Sequence, residues 1–510
     1  MIWRRRRWLV IALASAIAVL LVTAVAMARP GGGHSYSGGS RSSGSHSYSG
    51  GSRSSGGSGG DGGALLEVLV WLLIQNPSIG IPLIGAVIVF MVLRAIWERG
   101  MKAWSTNHVE VAEVPVARTA DQSPRRELEQ LRTSDPDFSL VLFEDFAYLL
   151  YGAVQRARGV GAGWLAPYLA PELAASLTDP RLADVQGIVI GAMRIDHVWD
   201  LSSPLQRVEL EVEANFVEIS RSGEQQRYYV MDQLVLARKN GAKSRPFARA
   251  RKLDCPNCGA PLEAVRGTQC SYCRQDVGQG QFDWMIVELN NHDREPRGPL
   301  LTSDAPETGT DLATVVDPDA SNAFQELQRR DPTLYWQTFT ARIAHVYAEL
   351  QVAWSGRDPL RIRPYVSDNL FQSLYYWIDL YLQERCRNVT EQARILRIDL
   401  ARVVSDKHYD AITVRLFASS IDYTIGDDGK LLSGSRSKTR TYSEYWTWIR
   451  GTSRAPRNPA VAPNDVSCPN CGAPLRIGMT GTCEYCRVKV TAGEFDWVLS
   501  RIEQDDAYAG

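Results

Sequence analysis

Two stretches constrain this chain more than any others: CPNCGAPLEAVRGTQCSYC at 255–273 and CPNCGAPLRIGMTGTCEYC at 468–486. Each sets two CxxC pairs with eleven residues between the inner cysteines, and eight of the nine cysteines fall in these two copies of one spacing. A tight CxxC turn presents two sulfurs on one side of the backbone, and a second such turn facing it completes a tetrahedron with Zn–S distances of about 2.3 Å. The spacing therefore predicts two zinc ribbons, one ligated by Cys255, Cys258, Cys270 and Cys273, the other by Cys468, Cys471, Cys483 and Cys486. Gly259 and Gly472 follow the second cysteine of each first pair, where the turn wants positive φ and free amides directed at sulfur. A redox role would pair a single CxxC with a βαβ pattern, which neither copy has. Four thiolates fill the coordination sphere, so each zinc is expected to be structural. The ninth cysteine, Cys386, reads as a buried small apolar residue on a helix.

The N-terminus has a different character. Residues 3–28 run from four arginines through an apolar stretch to Ala26-Met27-Ala28, the pattern of a secretory signal peptide, although the run is long enough to remain as an anchor. Residues 29–63 state one Gly/Ser-rich phrase twice, a composition that cannot bury enough surface to fold and reads as a tether spanning roughly 30 Å. Residues 64–102 form a second apolar segment whose part 79–97 is long enough to cross the hydrocarbon core. Arg94, Arg99 and Lys102 follow or close that stretch, and no lysine or arginine lies between Ser54 and Leu93, so the positive-inside rule puts everything after residue 102 in the cytoplasm. Cytosolic thiols stay reduced, which agrees with the metal reading.

The repeat extends beyond the cysteines. LEQLRTSDP at 128–136 aligns with FQELQRRDP at 324–332, and in each the Asp-Pro is expected to open a long helix capped by Asp135 or Asp331. Pro167-Tyr168 and Pro364-Tyr365 then lead into a second helix, after which the apolar period changes from that of a helix to two. Alternating stretches around Arg194-Ile195-Asp196 and Arg397-Ile398-Asp399, then 207–219 and 410–421, then 228–238 and 442–450, predict an antiparallel sheet. FDWMIVEL at 282–289 and FDWVLSRI at 495–502 are assigned as strands on their aromatics and short length, so each ribbon replaces the tip of a hairpin. Helices followed by a sheet define an α+β fold.

The order of a membrane segment with a basic flank, a helix pair, a sheet and a closing WTWIR…FDWVLSRI resembles the Tim44-like family, whose namesake tethers an import motor to the mitochondrial inner membrane. The resemblance covers roughly 125–290 and 321–503 and is strongest around 436–503. It implies two tandem cone-like domains similar to the nuclear-transport-factor-two superfamily, helices over a curved antiparallel sheet with an apolar cavity between. This chain departs from the family by duplicating the unit and inserting a ribbon in each copy. The expected layout is a leader or anchor at 1–28, the tether at 29–63, a membrane segment at 64–102, a linker at 103–124, and a first domain at 125–290 with its ribbon at 253–277. A linker at 291–320, a second domain at 321–503 with its ribbon at 466–490, and a tail at 504–510 follow.

The function implied is a non-enzymatic adaptor at the cytoplasmic face of a bacterial inner membrane that binds a protein partner, membrane lipid, or both. An enzyme would need titratable groups converging in a pocket. Asp196 and Asp399 recur at equivalent strand positions without a recurring histidine, since His197 faces Leu400, and they read as ordinary strand carboxylates exposed or paired with Arg194 and Arg397. No P-loop, nucleophile elbow or HExxH motif occurs. The loop 238–252, with seven basic residues and no acidic one, reads as a solvated loop, with attraction to anionic lipid headgroups next because the domain is held near the membrane; nucleic acid is the third reading, yet Phe247 is its only aromatic and base stacking is not indicated. The net charge of −1 neither demands nor excludes an anionic partner.

Overall fold

The computed structural model describes residues 118–119, 123–296, 309–453, 467–505, 507–508 and 510. The expected leader, tether and membrane segment, including the span at 79–97, lie outside the described residues, as do most of the linker 103–124 and part of 291–320. Among the described residues no helix is long and apolar enough to cross a membrane. All described residues fall within one compact unit.

After a two-residue strand β1 (Arg118–Thr119), the first half runs α1 (Pro124–Glu129), α2 (Leu140–Val160), α3 (Pro171–Leu177), β2 (Leu182–Val198), β3 (Leu205–Ser220) and β4 (Gln225–Lys239). A cysteine-bearing insertion with the short pair β5 (Val265–Arg266) and β6 (Gln269–Cys270) follows, and β7 (Met285–Glu295) completes the half. The second half runs β8 (Val315–Val316), α4 (Ala320–Arg330), α5 (Trp336–Gly356), α6 (Pro359–Ile362), α7 (Asp368–Gln383), β9 (Cys386–Ser405), β10 (Tyr409–Gly426), β11 (Leu431–Gly451) and β12 (Val498–Gln504). Two four-stranded antiparallel sheets result, ordered β2-β3-β4-β7 and β9-β10-β11-β12. Both FDW octets therefore supply a strand, and each cysteine insertion lies between two strands that pair, closing at Ala237↔Met285 and Ile449↔Val498.

Period-two alternation explains which sheet face is covered. Val208, Leu210, Val212, Ala214 and Phe216 of β3 are buried on one face and share a core with Leu150 and Val154 of α2. In the second half Ile412, Val414, Leu416 and Ala418 of β10 do the same beneath Ile343, Val346 and Leu350 of α5. Bulges at Gly187 (φ 56°) and Gln392 (φ 52°) interrupt the ladders of β2 and β9, adding local bend and twist. The helix–sheet space that the resemblance describes as a cavity is here occupied by large side chains, Trp446, Trp448, Trp377 and Trp497 in the second half.

Neither aspartate of the Asp-Pro pairs caps a helix. The long helices start at Leu140, where Ser139 Oγ accepts from the Leu142 amide at 3.5 Å, and at Trp336, which has no side-chain cap. Asp135 and Asp331 are instead buried beside Arg238 (3.1 Å) and Arg450 (2.8 Å), and an ion pair in low dielectric outranks an exposed cap. Cys386 is buried as expected, but it opens strand β9 and does not lie on a helix.

The halves contact each other directly. Arg125 meets Glu503 at 2.7 Å, Arg402 meets Glu129 at 2.9 Å, and Arg251 donates to the Tyr409 hydroxyl at 2.8 Å. Described residues of 504–510, read as a tail, are packed: Tyr508 stacks on Tyr445 at 3.8 Å and Asp505 meets the buried Arg415 at 2.9 Å.

Candidate metal centres

Each cluster is built from two knuckle turns. The Gly259 amide donates to Cys255 O (2.9 Å) and the Gly472 amide to Cys468 O (2.9 Å), with φ of 79° and 75° at the two glycines. The second knuckle repeats the geometry with a non-glycine residue. Arg274 (φ 59°) and Arg487 (φ 63°) donate their amides to Cys270 O and Cys483 O, and both arginines hold a left-handed conformation that their side chains disfavour. No sequence signal announced this, because arginine is not a usual left-handed residue.

The four sulfurs of each set lie within 4.8 Å of one another. Cys255 and Cys273 Sγ are 3.9 Å apart and Cys258 and Cys270 Sγ 3.8 Å; in the second set the Cys468–Cys486 and Cys471–Cys483 separations are 3.8 and 4.0 Å. A regular tetrahedron with metal–sulfur bonds of about 2.3 Å has edges of about 3.8 Å, whereas a disulfide would bring the atoms to about 2.0 Å. Both clusters are thus able to hold a metal ion in a four-thiolate site. The environments are also matched. Burial pushes Cys255 and Cys468 up to about 12. Desolvation is outweighed at Cys273, at about 7, and at Cys486, at about 6, by hydrogen bonds from a backbone amide and from Asn257 or Asn470. The asparagine of each CPNC therefore supports the last thiolate of its own cluster, with Asn470 Nδ2 at 3.5 Å from Cys486 Sγ.

Ion pairs hold each insertion against the helices. Tyr168 donates to Asp254 O at 2.6 Å beside Cys255, and Arg245, itself buried, donates to the Tyr168 hydroxyl at 2.7 Å and lies 3.2 Å from Asp283. In the second half the buried Arg363 donates to Met479 O at 3.0 Å inside the ribbon and to Asp368 at 2.5 Å, while Lys489 reaches the same carboxylate at 2.5 Å. Where the chain leaves each ribbon, Gly280 (φ 70°) and Gly493 (φ 79°) hold a left-handed conformation close to the backbone of Arg238 and Arg450, where a Cβ would come within 3.3 and 3.0 Å of their Cα atoms. Arg238 then lies over Trp284 (4.8 Å) and Arg450 over Trp497 (4.3 Å). This Asp–Arg–Trp arrangement was present in the sequence as three recurring features, but the aspartates had been assigned to caps.

The remaining candidates do not converge. Asp196 is exposed, and Arg194 pairs with Glu211 and not with it; Asp399 lies 3.1 Å from Arg397 and accepts from Thr314 at 3.0 Å. His197 packs edge-on against Trp199 at 4.7 Å. One buried carboxylate was missed, Asp232 in β4, which accepts from Tyr151 (2.6 Å), Gln155 (2.8 Å) and Asn291 (2.7 Å). Burial raises its pKa, and with three donors satisfied it reads as a core hydrogen-bond hub. Within the loop 238–252, Arg238, Arg245, Arg249 and Arg251 are ion-paired to Asp135, Asp254 and Asp283, Asp254, and Asp145 respectively, and Lys243 donates to Ser134 O, while Lys239, Lys243 and Lys252 are exposed.

Helices over a bulged antiparallel sheet, with a four-cysteine ribbon set into the hairpin between the last two strands, define the class: an α+β scaffold carrying closed, metal-capable clamps. Residues 320–459 match the family model of the Tim44-like domain. The match begins at the first residue of α4 and ends short of the second cysteine cluster. A search of curated proteins found no match.

Proposed function

We propose that this protein is a membrane-tethered, non-enzymatic adaptor that docks polypeptide or lipid at the cytoplasmic face of an inner membrane, with two structural zinc ions per chain. The single observation that carries this reading is the Tim44-like match over the second half, on a scaffold whose metal-capable sites are saturated by four thiols each. Zinc is the metal this donor set favours, because four thiolates at tetrahedral spacing suit it and leave no open position for water or substrate. The first half, with the same strand order and an equivalent ribbon, is read as a second, divergent copy of the domain, at 125–290 against 321–503. The span at 79–97 and the basic residues after it support placing both halves in the cytoplasm. Purification of the full-length protein from membranes, with identification of what co-purifies, tests the proposal. Bound polypeptide or lipid in stoichiometric amount supports it; turnover of a small molecule that depends on Asp399, with neither ligand bound, overturns it.

A further inference from the structure

A wide opening lies not inside either half but between them. It measures about 980 Å3 and is walled by α2 and the start of β2 on one side, by 247–252 beneath, and by the start of α7 and the exit of the second ribbon on the other. That volume falls at the upper end of ligand-binding clefts. Three features indicate what would fit it.

The first is backbone. β2 is an edge strand, and its pairing with β3 skips from Gln186 to Val189, so Gly187 and Ile188 have no ladder partner and both line the cleft. Peptide groups outside the ladder on an open edge are sites for another chain's main-chain hydrogen bonds. The second is the lining, which mixes apolar side chains such as Leu149, Ile190 and Phe247 with amide and hydroxyl groups such as Gln372 and Thr491. The third is charge. Acidic and basic side chains around the cleft are equal in number, four each, and the pairs Asp145–Arg251 and Asp368–Lys489 neutralise one another. A neutral wall does not attract a polyphosphate or an anionic headgroup, and a wall this polar does not suit an acyl chain.

We infer that the cleft between the halves is the docking site for a short extended segment of another polypeptide, which pairs with the bulged edge of β2 at Gly187–Ile188. This deepens the adaptor reading and rests on it. The end of the second ribbon and the chain leaving it supply Lys489, Thr491, Ala492 and Glu494 to the wall, and Asp368 ties that wall to α7 through Lys489 and Thr491. The fold of the second ribbon therefore sets the shape of the cleft, and a metal held by its four cysteines, which lie outside the lining, would support that wall.

Gly152 of α2 provides the test. It lines the cleft, and a Cβ built there meets nothing within 4 Å, so Gly152→Trp fills the opening without disturbing the core. Gly356 of α5 also has open space around its Cβ and lies outside the cleft, so Gly356→Trp is the control. Full-length protein in detergent is titrated with labelled, reduced and carboxymethylated lactalbumin, a polypeptide that cannot refold. The expected result is at least tenfold weaker binding for Gly152→Trp, unchanged binding for Gly356→Trp, and weakening on removal of metal from the second ribbon by Cys471→Ser. Wild-type binding that Gly152→Trp leaves intact overturns the cleft assignment while sparing the adaptor reading. No wild-type binding of the unfolded chain overturns the cleft assignment and the polypeptide arm of the adaptor reading together. If Gly152→Trp abolishes binding to phosphatidylglycerol vesicles, or dissociates a dimer, and spares the polypeptide, the cleft belongs to lipid or to a second copy and the inference is wrong.

Discussion

Arg450 lies over Trp497 with its guanidinium carbon 4.3 Å from the ring centroid, so the strand entering the second ribbon is stapled to the strand leaving it. Arg238 and Trp284 repeat the contact at 4.8 Å around the first ribbon. In both places an aspartate from the turn before the long helix completes the cluster, Asp331 at 2.8 Å and Asp135 at 3.1 Å. The helix layer, the sheet and the metal-capable insertion thus meet at one buried cation in each half.

Removing one member of that cluster should be severe. Arg450→Ala leaves Asp331 buried beside a void and is expected to destabilise the protein by about 3–5 kcal/mol, the range for breaking a buried ion pair. The double replacement Asp331→Leu with Arg450→Met should recover much of the loss, because no charge then remains uncompensated. Denaturant midpoints followed by tryptophan fluorescence check both; equal loss in the single and double variants would show that charge pairing is not the source.

Much of this was legible in the sequence, and the misreadings share a cause. The β-strands of both sheets, the position of each ribbon between paired strands and the positive φ at Gly259 and Gly472 followed from period, spacing and turn chemistry, which are local properties. Asp135 and Asp331 were misassigned as caps, and the ion pairs of the arginines in 238–252 went unseen, because these roles depend on partners far along the chain. Arg251 meets Asp145, 106 residues away, and Tyr409, 158 residues away. A run of basic residues looks solvated until the fold brings carboxylates to it.

Asp283 makes stability depend on pH. Burial raises its carboxyl to about 6 despite Arg245 at 3.2 Å. A folded pKa above the unfolded value of about 3.9 means the contribution is fully present below pH 4 and is lost as pH rises through 6. Asp283→Asn, which cannot ionise, should therefore gain on the wild type between pH 5 and pH 7.5, by up to about 3 kcal/mol at the upper end. Paired unfolding curves across that range check it; a difference that stays flat or reverses sign contradicts the assignment.

The strand carboxylates should be nearly silent. Asp196→Asn, at an exposed position, and Asp399→Asn, which retains a hydrogen-bonding side chain beside Arg397 and Thr314, are expected to change stability by less than about 1 kcal/mol and to leave partner binding intact. Loss of a measured turnover in folded Asp399→Asn protein would make the scaffold an enzyme.

Topology can be read with reporters. A fusion after residue 110 should behave as cytoplasmic and one within 35–60 as external, because the span at 79–97 is expected to cross the membrane with its basic flank inside. Both reporters on one side would remove that span.

The metal content of the full-length protein tests the central claim most directly. The account predicts two zinc ions per chain, and one for Cys483→Ser, with loosening of the Ile449↔Val498 pairing and loss of stability in the second half that reaches the first through Arg125–Glu503 and Arg251–Tyr409. Zinc-free protein that is fully folded, or disulfides joining Cys255–Cys273 or Cys468–Cys486 in cytosolic material, would contradict it.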